Sequence, residues 1–492
     1  MKIKYFPSIP KVFTLVLLFL LITAGVEALA VAQPENQASE NQSAAQTSNI
    51  HPVPLPDPGI SGFSFPTPQD KILRWTLFND QDAISKHAWG LWTALTQETD
   101  QKYNGQPLRV FETWLTPQET LALEQEQEQE LKKPRMPRPL EEFRQFGKQT
   151  AHVKDEDVVG FVKYDPSTVK HVLKYDLLSN DSLQKMLDNQ EKKGIYPAKI
   201  PHFPKTSMAI KPVFKRVEDL PTLNGHHHLL PVWPEPPVHS QLPMPAEGCL
   251  SKTVSSPGSL IPSKVCKNGF GSNSWNQYVL IDLNKKGQGD GSLSTTSDRT
   301  AQTTYNLSDF INFELTEAEA EEINQLKGTY ILVGMHVTSK EIPRWTWQTF
   351  WWTPDPENPH FPSSQAIADT RPEQLTGAPR HYALAHAYSM VNQPQPKIGG
   401  TNTGESVYAY NPWLEAGFTP DHLPASKPNT NNVGIQSNCM SCHIQARYSK
   451  ALIKAEDQDR INPYYTGDQY ISLDDPSFKD TLQLDFLWSL LR

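Results

Sequence analysis

Cysteine is scarce in this chain: only 4 of the 492 residues are cysteine, and two of those four lie three residues apart near the C-terminus. Charge is limited as well, with 20% charged residues and a formal net charge of −9. No basic run stands out, which argues against a protein that binds nucleic acid. After the first 30 residues, no segment is apolar enough to cross a bilayer.

Proline, by contrast, is abundant. The chain has 43 prolines in 492 residues, where a share of roughly 5% is usual. Because proline is excluded from helix interiors and from central strands, this composition favours short elements and many turns over an all-helical bundle. The length exceeds what one hydrophobic core usually supports and predicts two or three domains.

The N-terminus has the pattern of an export signal. Lys2, Lys4 and Lys11 precede the apolar run "VFTLVLLFLLITAGV", and the small residues of "ALAVAQ" follow it. The run is short for a membrane span, which needs about 20 residues; an uncleaved anchor is the alternative. We therefore expect a signal peptide over residues 1–32, a periplasmic or otherwise exported protein, and no membrane span in the mature chain. The polar, proline-rich residues 33–65 predict a disordered linker.

Export sets the redox environment of the thiols, because disulfides form and persist outside the cytoplasm. Cys249 and Cys266 enclose a short loop rich in Ser and Pro. A disulfide between them would contribute about 3 kcal/mol by loop-closure reasoning. That pairing would leave Cys439 and Cys442 for another use.

Periodicity predicts a mixed, β-rich fold. "DAISKHAWGLWTALTQET" has helical spacing, whereas "LRVFETWLTP", "SMAIKPVF", "NQYVLIDL" and "TYILVGMHV" favour strands. Thr316 and Glu319 form a capping box that opens a short helix. In "EIPRWTWQTFWW", an extended segment would put Trp345, Trp347 and Trp351 on one face, as a core strand or as the wall of a ligand pocket.

The expected fold class is α+β with a sandwich-like β core, peripheral helices and a helical segment near the C-terminus. We expect a mixed helical and extended region over residues 66–200, a β-rich domain over 201–410 and a separate C-terminal region over 411–492.

The segment "QSNCMSCHIQ" contains the spacing Cys439-x-x-Cys442-His443, which is the attachment motif of a c-type haem. On a helical turn both thiols face the same side, where they can add to the two vinyl groups of one haem. His443 would then be the proximal iron ligand, and Asn438 would cap the helix. A thioredoxin-like redox centre and a zinc ribbon are the competing interpretations. The redox centre would need a βαβ context, and the zinc ribbon would need a second closely spaced pair of Cys or His ligands; the sequence has neither.

One motif implies one covalent haem c in the C-terminal region. Neither Met nor His occurs after residue 443, so a sixth iron ligand must come from earlier in the chain. Met335 and His336 are candidates, and because they are consecutive in a strand only one of them can face the iron. His381, His386 and Met390 are further candidates. The late motif and the β-rich body exclude the small class I cytochrome c fold.

The segments "KEIPRWTWQTFWW", "YNPWLEAGF" and "SNCMSCHIQA" make the last 200 residues resemble a group of bacterial exported proteins described as the cytochrome c family. The resemblance implies a single haem and electron transfer, and it brings no substrate.

Two functions follow from the sequence. The first is an exported electron carrier that meets a redox partner protein. The alternative is a peroxidase- or oxygenase-like haem enzyme with an open or displaceable sixth iron position, in which His336 or Arg344 would act as the acid–base group.

Overall fold

The structure is a computed structural model. The residues that it describes are 50–124, 141–142, 158–223, 227–234, 271–272, 275, 277–283, 294–295, 304–322, 325–392, 407–416, 438–449 and 470–491. All of them fall within one structural unit. The expected signal peptide and the expected disulfide between Cys249 and Cys266 lie outside the described residues.

Short helices are distributed along the described chain. They are α1 (Gln69–Leu77), α2 (Gln81–Thr96), α3 (Pro117–Glu124), α4 (Pro166–Tyr175), α5 (Asn180–Lys192), α6 (Glu317–Glu322), α7 (Gln365–Ala368) and α8 (Cys439–His443). None of these helices is long and apolar enough to cross a membrane.

The strands include several of only two or three residues, as the proline content predicts. They are β1 (Glu98–Tyr103), β2 (Gln106–Arg109), β3 (Glu141–Glu142), β4 (Val158–Gly160), β5 (Lys163–Tyr164), β6 (Ala198–Lys199), β7 (Met208–Arg216), β8 (Thr222–Leu223), β9 (His227–Val232), β10 (Gln277–Asp282), β11 (Ser294–Thr295), β12 (Thr304–Tyr305), β13 (Asn312–Leu315), β14 (Gly328–Ser339), β15 (Thr346–Trp352), β16 (Tyr382–Ala387), β17 (Arg447–Tyr448) and β18 (Leu482–Gln483).

A large antiparallel sheet forms the centre of the fold. Its main path in the described residues runs β16-β15-β14-β7-β4-β3, with β13 paired to β14 and β5 paired to β7. The β14 and β15 segments are rich in β-branched and aromatic residues, which suit a pleated and buried surface. Every residue of β15 is buried, so both faces of the sheet are covered at this strand.

Helix α2 covers one face of the central sheet. Asp80 caps it by accepting a hydrogen bond from the Ala83 amide at 3.1 Å. Trp92 of α2 stacks on Phe350 of β15, with ring centroids 4.2 Å apart and planes 17° apart. The helix predicted from the spacing of "DAISKHAWGLWTALTQET" is therefore confirmed, and its apolar stripe packs on the sheet.

The segment 407–416 covers the opposite face. Asn411 donates from Nδ2 to Thr349 Oγ1 at 2.9 Å and to the Phe350 carbonyl at 2.8 Å. This close approach needs a glycine in β14, because a Cβ on Gly334 would lie 2.8 Å from Asn411 Nδ2.

Smaller sheets flank the central one. A five-stranded sheet follows the order β11-β10-β9-β8, with β12 parallel to β10, and a three-stranded sheet follows β17-β18-β6. In the second, β6 and β18 pair in parallel, although they are nearly 300 residues apart in the chain. Strands β4 and β7, from either side of the boundary expected at residue 200, also pair.

The coarser fold prediction is confirmed: the chain is mixed helix and sheet around a multi-stranded antiparallel sheet. The strands expected in "SMAIKPVF", "NQYVLIDL" and "TYILVGMHV" correspond to β7, β10 and β14. The capping box is also confirmed, since Thr316 Oγ1 accepts from the Glu319 amide at 3.4 Å and Glu319 Oε2 accepts from the Thr316 amide at 2.8 Å.

Two local predictions differ from the structure. In "LRVFETWLTP" the strand β2 ends at Arg109, and a 3-10 turn over Val110–Thr113 follows, so the expected strand is wrong beyond Arg109. Residues 50–65, expected within a disordered linker, lie against the folded body: the Val53 carbonyl accepts a hydrogen bond from the Trp114 indole at 2.8 Å.

Candidate functional site

Helix α8 has only five residues, and its start is fixed by Asn438. Asn438 Oδ1 accepts a hydrogen bond from the Ser441 amide at 3.0 Å, which confirms the predicted N-cap. Asn438 Nδ2 donates to the carbonyls of Met390 at 3.1 Å and Val407 at 3.0 Å. One amide side chain therefore starts the helix and attaches it to two other segments.

Three side chains of this region are partly accessible. Between residues 438 and 449, Cys439, Cys442 and His443 are half-buried, and the other positions are buried. Both cysteines are free thiols. The local helical turn therefore presents Cys439, Cys442 and His443 and hides their neighbours.

The two thiols are protonated at neutral pH. Burial raises the pKa of Cys442 to about 12, and it raises the pKa of Cys439 well above its ordinary value. Cys439 Sγ donates to the Ala409 carbonyl at 3.2 Å. Thiol–disulfide exchange depends on a thiolate with a lowered pKa, so these thiols have the opposite character to those of a thioredoxin-like centre.

The imidazole of His443 has a fixed orientation. Its Nδ1 lies 2.8 Å from the carbonyl oxygen of Phe486, so Nδ1–H donates and the Nε2 lone pair is left for another partner. Nε2 has no hydrogen-bond partner among the described residues. Burial lowers the pKa of His443 to about 3, which keeps the ring in the neutral form that binds metals.

The carbonyl that receives this hydrogen bond belongs to an unusual turn. Asp485 and Phe486 both have left-handed backbone angles, with φ of 47° and 73°. Such conformations carry a free-energy cost for residues other than glycine and persist only where the surroundings impose them. Here the turn directs the Phe486 carbonyl at His443.

Trp347 of β15 forms one wall of the site. Its ring centroid lies 4.3 Å from that of His443. Trp345, expected on the same face, precedes the strand with φ of 61° and packs against Phe203 at 5.6 Å. The left-handed residue interrupts the alternation on which that prediction depended.

A polar group lies on the same face of the sheet as Trp347. His336 of β14 is opposite Lys211 of β7, and His336 is two residues from Thr338, which is opposite Trp347. Side chains two apart on a strand share a face. Lys211, His336 and Trp347 therefore stand on one side of three neighbouring strands.

Glu415 meets this group from the segment 407–416. His336 Nε2 lies 2.8 Å from Glu415 Oε1, with side-chain exposures of 15% and 11%. Burial alone would raise the pKa of Glu415, but the contact with His336 and the hydrogen bond from the Asn411 amide lower it overall. Burial lowers the pKa of Lys211 to about 8, although Glu415 opposes that shift. The Nδ1 atom of His336 is buried and has no hydrogen-bond partner among the described residues.

The other sixth-ligand candidates are distributed elsewhere. Met335 is fully buried and points to the face of β14 opposite to His336. His386 lies on the α2 side, where its Nε2 is 2.8 Å from Ser85 Oγ. His381 lies 3.8 Å from Asp309, beside Trp352 and away from α8. Of Met335, His336, His381 and His386, only His336 shares the face of Trp347.

Met390 and Arg344 approach α8 from its N-terminal side. Arg344 Nη1 donates to Met390 Sδ at 3.1 Å, and Nη2 donates to Tyr470 Oη at 2.9 Å. The Arg344 carbonyl accepts from the Trp347 indole at 3.0 Å. The sulfur of Met390 is thus occupied by a guanidinium, and Arg344 lies next to the Trp347 wall.

Sequence reasoning missed Lys211, Glu415 and the Phe486 carbonyl. Two of these had a signal: Lys211 is a lone charge inside the apolar strand "SMAIKPVF", and Glu415 stands within the quoted segment "YNPWLEAGF". The carbonyl had none, because it depends on the backbone of a distant turn. In the described part of the chain, no group of three His, Cys, Asp or Glu side chains is arranged to hold a bare metal ion.

Comparison with protein families, curated proteins and solved structures finds no match to this chain.

Proposed function

We propose that residues 439–443 hold one covalent haem c and that the protein is an exported electron carrier. Cys439 and Cys442 would form the thioethers, and His443 Nε2 would be the proximal iron ligand. The observation that carries the proposal is the state of His443: a neutral imidazole whose Nδ1–H is held by the Phe486 carbonyl. That arrangement leaves Nε2 for a metal and is typical of ligating histidines.

The surrounding residues fit such a group. A haem needs apolar walls and two accessible thiols, and the site offers the Trp347 ring beside the imidazole and two half-buried free cysteines. The bound haem would supply a one-electron couple between ferrous and ferric iron. The chain holds the proximal ring in place, and the buried surroundings limit access of water to it.

His336 is the favoured sixth ligand. It stands on the Trp347 face, and its buried Nδ1 has no hydrogen-bond partner among the described residues. Glu415 fixes the other nitrogen at 2.8 Å, which is the arrangement that orients a ligating imidazole. Met335 points to the opposite face of β14, so it could be the sixth ligand only if that strand were turned over.

The test is expression in a host that matures c-type cytochromes, followed by intact-mass measurement and an absorption spectrum. We expect a red protein with the mass of the mature chain plus one haem. The variant C439A/C442A should lose both colour and added mass, whereas C249A/C266A should retain them because those cysteines lie outside the motif. Colourless wild-type protein with the mass of the bare polypeptide would refute the proposal.

A haem enzyme is the second candidate, and the pair His336–Glu415 favours it. An imidazole backed by a carboxylate can take and return a proton beside an open iron position. Carbon monoxide separates the two functions. A reduced spectrum that carbon monoxide does not change supports electron transfer, and a spectrum that shifts on its addition supports catalysis.

A further inference from the structure

A second buried polar group lies behind β15, on the face opposite to Trp347. It joins His87 of α2, Glu341 between β14 and β15, and Tyr388 just after β16. His87 Nδ1 lies 2.6 Å from Tyr388 Oη, and His87 Nε2 lies 3.2 Å from Glu341 Oε1. The His87 and Glu341 side chains are 2% and 0% exposed, and Tyr388 is 4% exposed. The group is therefore closed to substrates.

The hydrogen bonds of Glu341 fix the tautomer of His87. Glu341 Oε1 accepts from the Thr67 amide at 2.6 Å, and Oε2 accepts from Ser339 Oγ at 2.5 Å. Both oxygens are acceptors, as in a carboxylate. In the neutral ring, His87 Nε2 then carries the proton and donates to Glu341, which leaves Nδ1 as a base.

The phenol of Tyr388 therefore donates to that base. Gln348 Nε2 donates to the same phenol oxygen at 2.8 Å, and the Thr346 side chain also hydrogen-bonds it. Because Nδ1 of the neutral His87 ring can only accept, the contact of 2.6 Å requires the phenol O–H to donate to it. Tyr382 differs from Tyr388 in its hydrogen-bond acceptor. The fully buried Tyr382 donates to the Leu332 carbonyl at 2.7 Å, and a carbonyl cannot take its proton. Burial and the charge of Glu341 raise the pKa of Tyr388 well above its ordinary value, so the phenol stays protonated.

We infer that Tyr388 is a redox-active tyrosine whose oxidation is coupled to proton transfer to His87. One electron leaves the phenol for a strong one-electron oxidant of the metal-complex class. The O–H bond breaks, and the proton forms a new N–H bond at His87 Nδ1. The products are a neutral tyrosyl radical and an imidazolium held by the Glu341 carboxylate. Reduction by one electron returns the proton to the phenol.

The surroundings suit a long-lived radical. The rings of Phe63 and Trp75 lie 5.6 and 5.7 Å from the His87 ring and help to exclude water. His386, the other histidine beside Tyr388, is bonded to Ser85 and is not the proton acceptor. Gln348 is the chain neighbour of Trp347, so the phenol stands behind the strand that forms the wall of the candidate haem site. The inference does not depend on the presence of haem.

The test is oxidation of the full-length chain by photogenerated tris(bipyridine)ruthenium(III), with freeze-quench and high-field electron paramagnetic resonance. We expect a persistent tyrosyl radical signal in the wild type. The spectrum of the wild type alone should show that the radical oxygen accepts a hydrogen bond from the imidazolium proton. Tyr388→Phe should lose the persistent signal. Tyr382→Phe, the matched buried control, should keep it. His87→Gln keeps the tyrosine but removes the base and should also lose the signal.

Three results would overturn the inference. They are an unchanged persistent signal in Tyr388→Phe, an unchanged signal in His87→Gln, and a wild-type radical without a hydrogen bond from an exchangeable proton. Circular dichroism melts of each variant establish that it is folded before oxidation. The oxidation experiment uses the chain without haem. A negative result would therefore not bear on the haem proposal, which is tested separately by mass and absorption spectrum.

Discussion

Lys340 Nζ lies 2.5 Å from Asp485 Oδ1, and their side chains are only 5% and 6% exposed. Asp485 Oδ2 also accepts from the Phe203 amide at 3.3 Å. Asp485 is the residue before Phe486, whose carbonyl receives the hydrogen bond of His443. The buried ion pair thus holds the left-handed turn that orients the His443 ring.

Replacing Lys340 by Met should destabilise the protein strongly. The change leaves the buried Asp485 carboxylate with only the exposed His202 ring, at 3.8 Å, as a basic neighbour, and breaking a buried pair in this way costs about 3–5 kcal/mol. Urea unfolding followed by tryptophan fluorescence measures the effect. Lys86→Met is the matched control: its pair with Asp82 at 2.7 Å is 62% and 63% exposed, so we expect a change below about 1 kcal/mol. Equal effects of the two substitutions would contradict this account.

Stability should fall as the pH decreases from 7 to 4. Burial lowers the pKa of His386 to about 4, from an ordinary value of 6.5. Between these values the unfolded chain binds a proton that the folded chain does not, so acid favours unfolding. At about 1.4 kcal/mol per pKa unit, His386 alone contributes a loss of about 3 kcal/mol. Denaturation midpoints across this pH range should depend less steeply on pH in His386→Asn than in the wild type, and the remaining dependence comes from groups such as His443, whose pKa burial also lowers. The exposed control His51→Asn should keep the wild-type slope.

Gly90→Ala should destabilise the protein even though alanine favours helices. Gly90 lies inside α2, where intrinsic propensity alone would predict a gain of about 1 kcal/mol. A Cβ at this position would lie 2.1 Å from Cδ2 of the Phe63 ring. We expect a net loss of about 1–3 kcal/mol, as for overpacked cores. In a double-mutant cycle, Phe63→Leu should relieve most of the loss; additive effects would exclude the steric explanation.

Asn438→Ala should destabilise the attachment of α8. The variant loses the N-cap acceptor and leaves the carbonyls of Met390 and Val407 without their donor. We expect about 2–4 kcal/mol from the cap and the unsatisfied groups together. Asn438→Asp retains the acceptor that caps the helix but not the donors to the two carbonyls. Its loss of unfolding free energy therefore separates the contribution of the donors from that of the cap. A variant as stable as the wild type would show that this anchor is dispensable.

Two histidine variants should give different spectra if the haem proposal holds. His443→Ala should keep the haem mass, because the thioethers remain, but lose the low-spin spectrum of the proximal ligand. His336→Ala should keep the mass and acquire a high-spin spectrum that responds to carbon monoxide. Met335→Leu is the control on the other face of β14 and should change neither. A low-spin spectrum retained in His336→Ala would remove His336 as the sixth ligand.

The sequence by itself determined the features that depend on residues close together in the chain. Asn438 caps α8 through a bond three residues away, and Thr316 and Glu319 close a capping box over the same distance. Strand alternation separates Met335 from His336 without any tertiary information. Where one residue left the regular backbone, as Trp345 did with φ of 61°, the alternation failed.

Only the tertiary structure decided which of these side chains meet. Lys211, His336 and Glu415 come together because β7 pairs with β14 and the segment 407–416 lies on that face. His443 meets a carbonyl 43 residues away, and His87 meets a phenol 301 residues away. Such contacts follow from how the whole chain buries its apolar surface, a property that no short stretch of sequence contains.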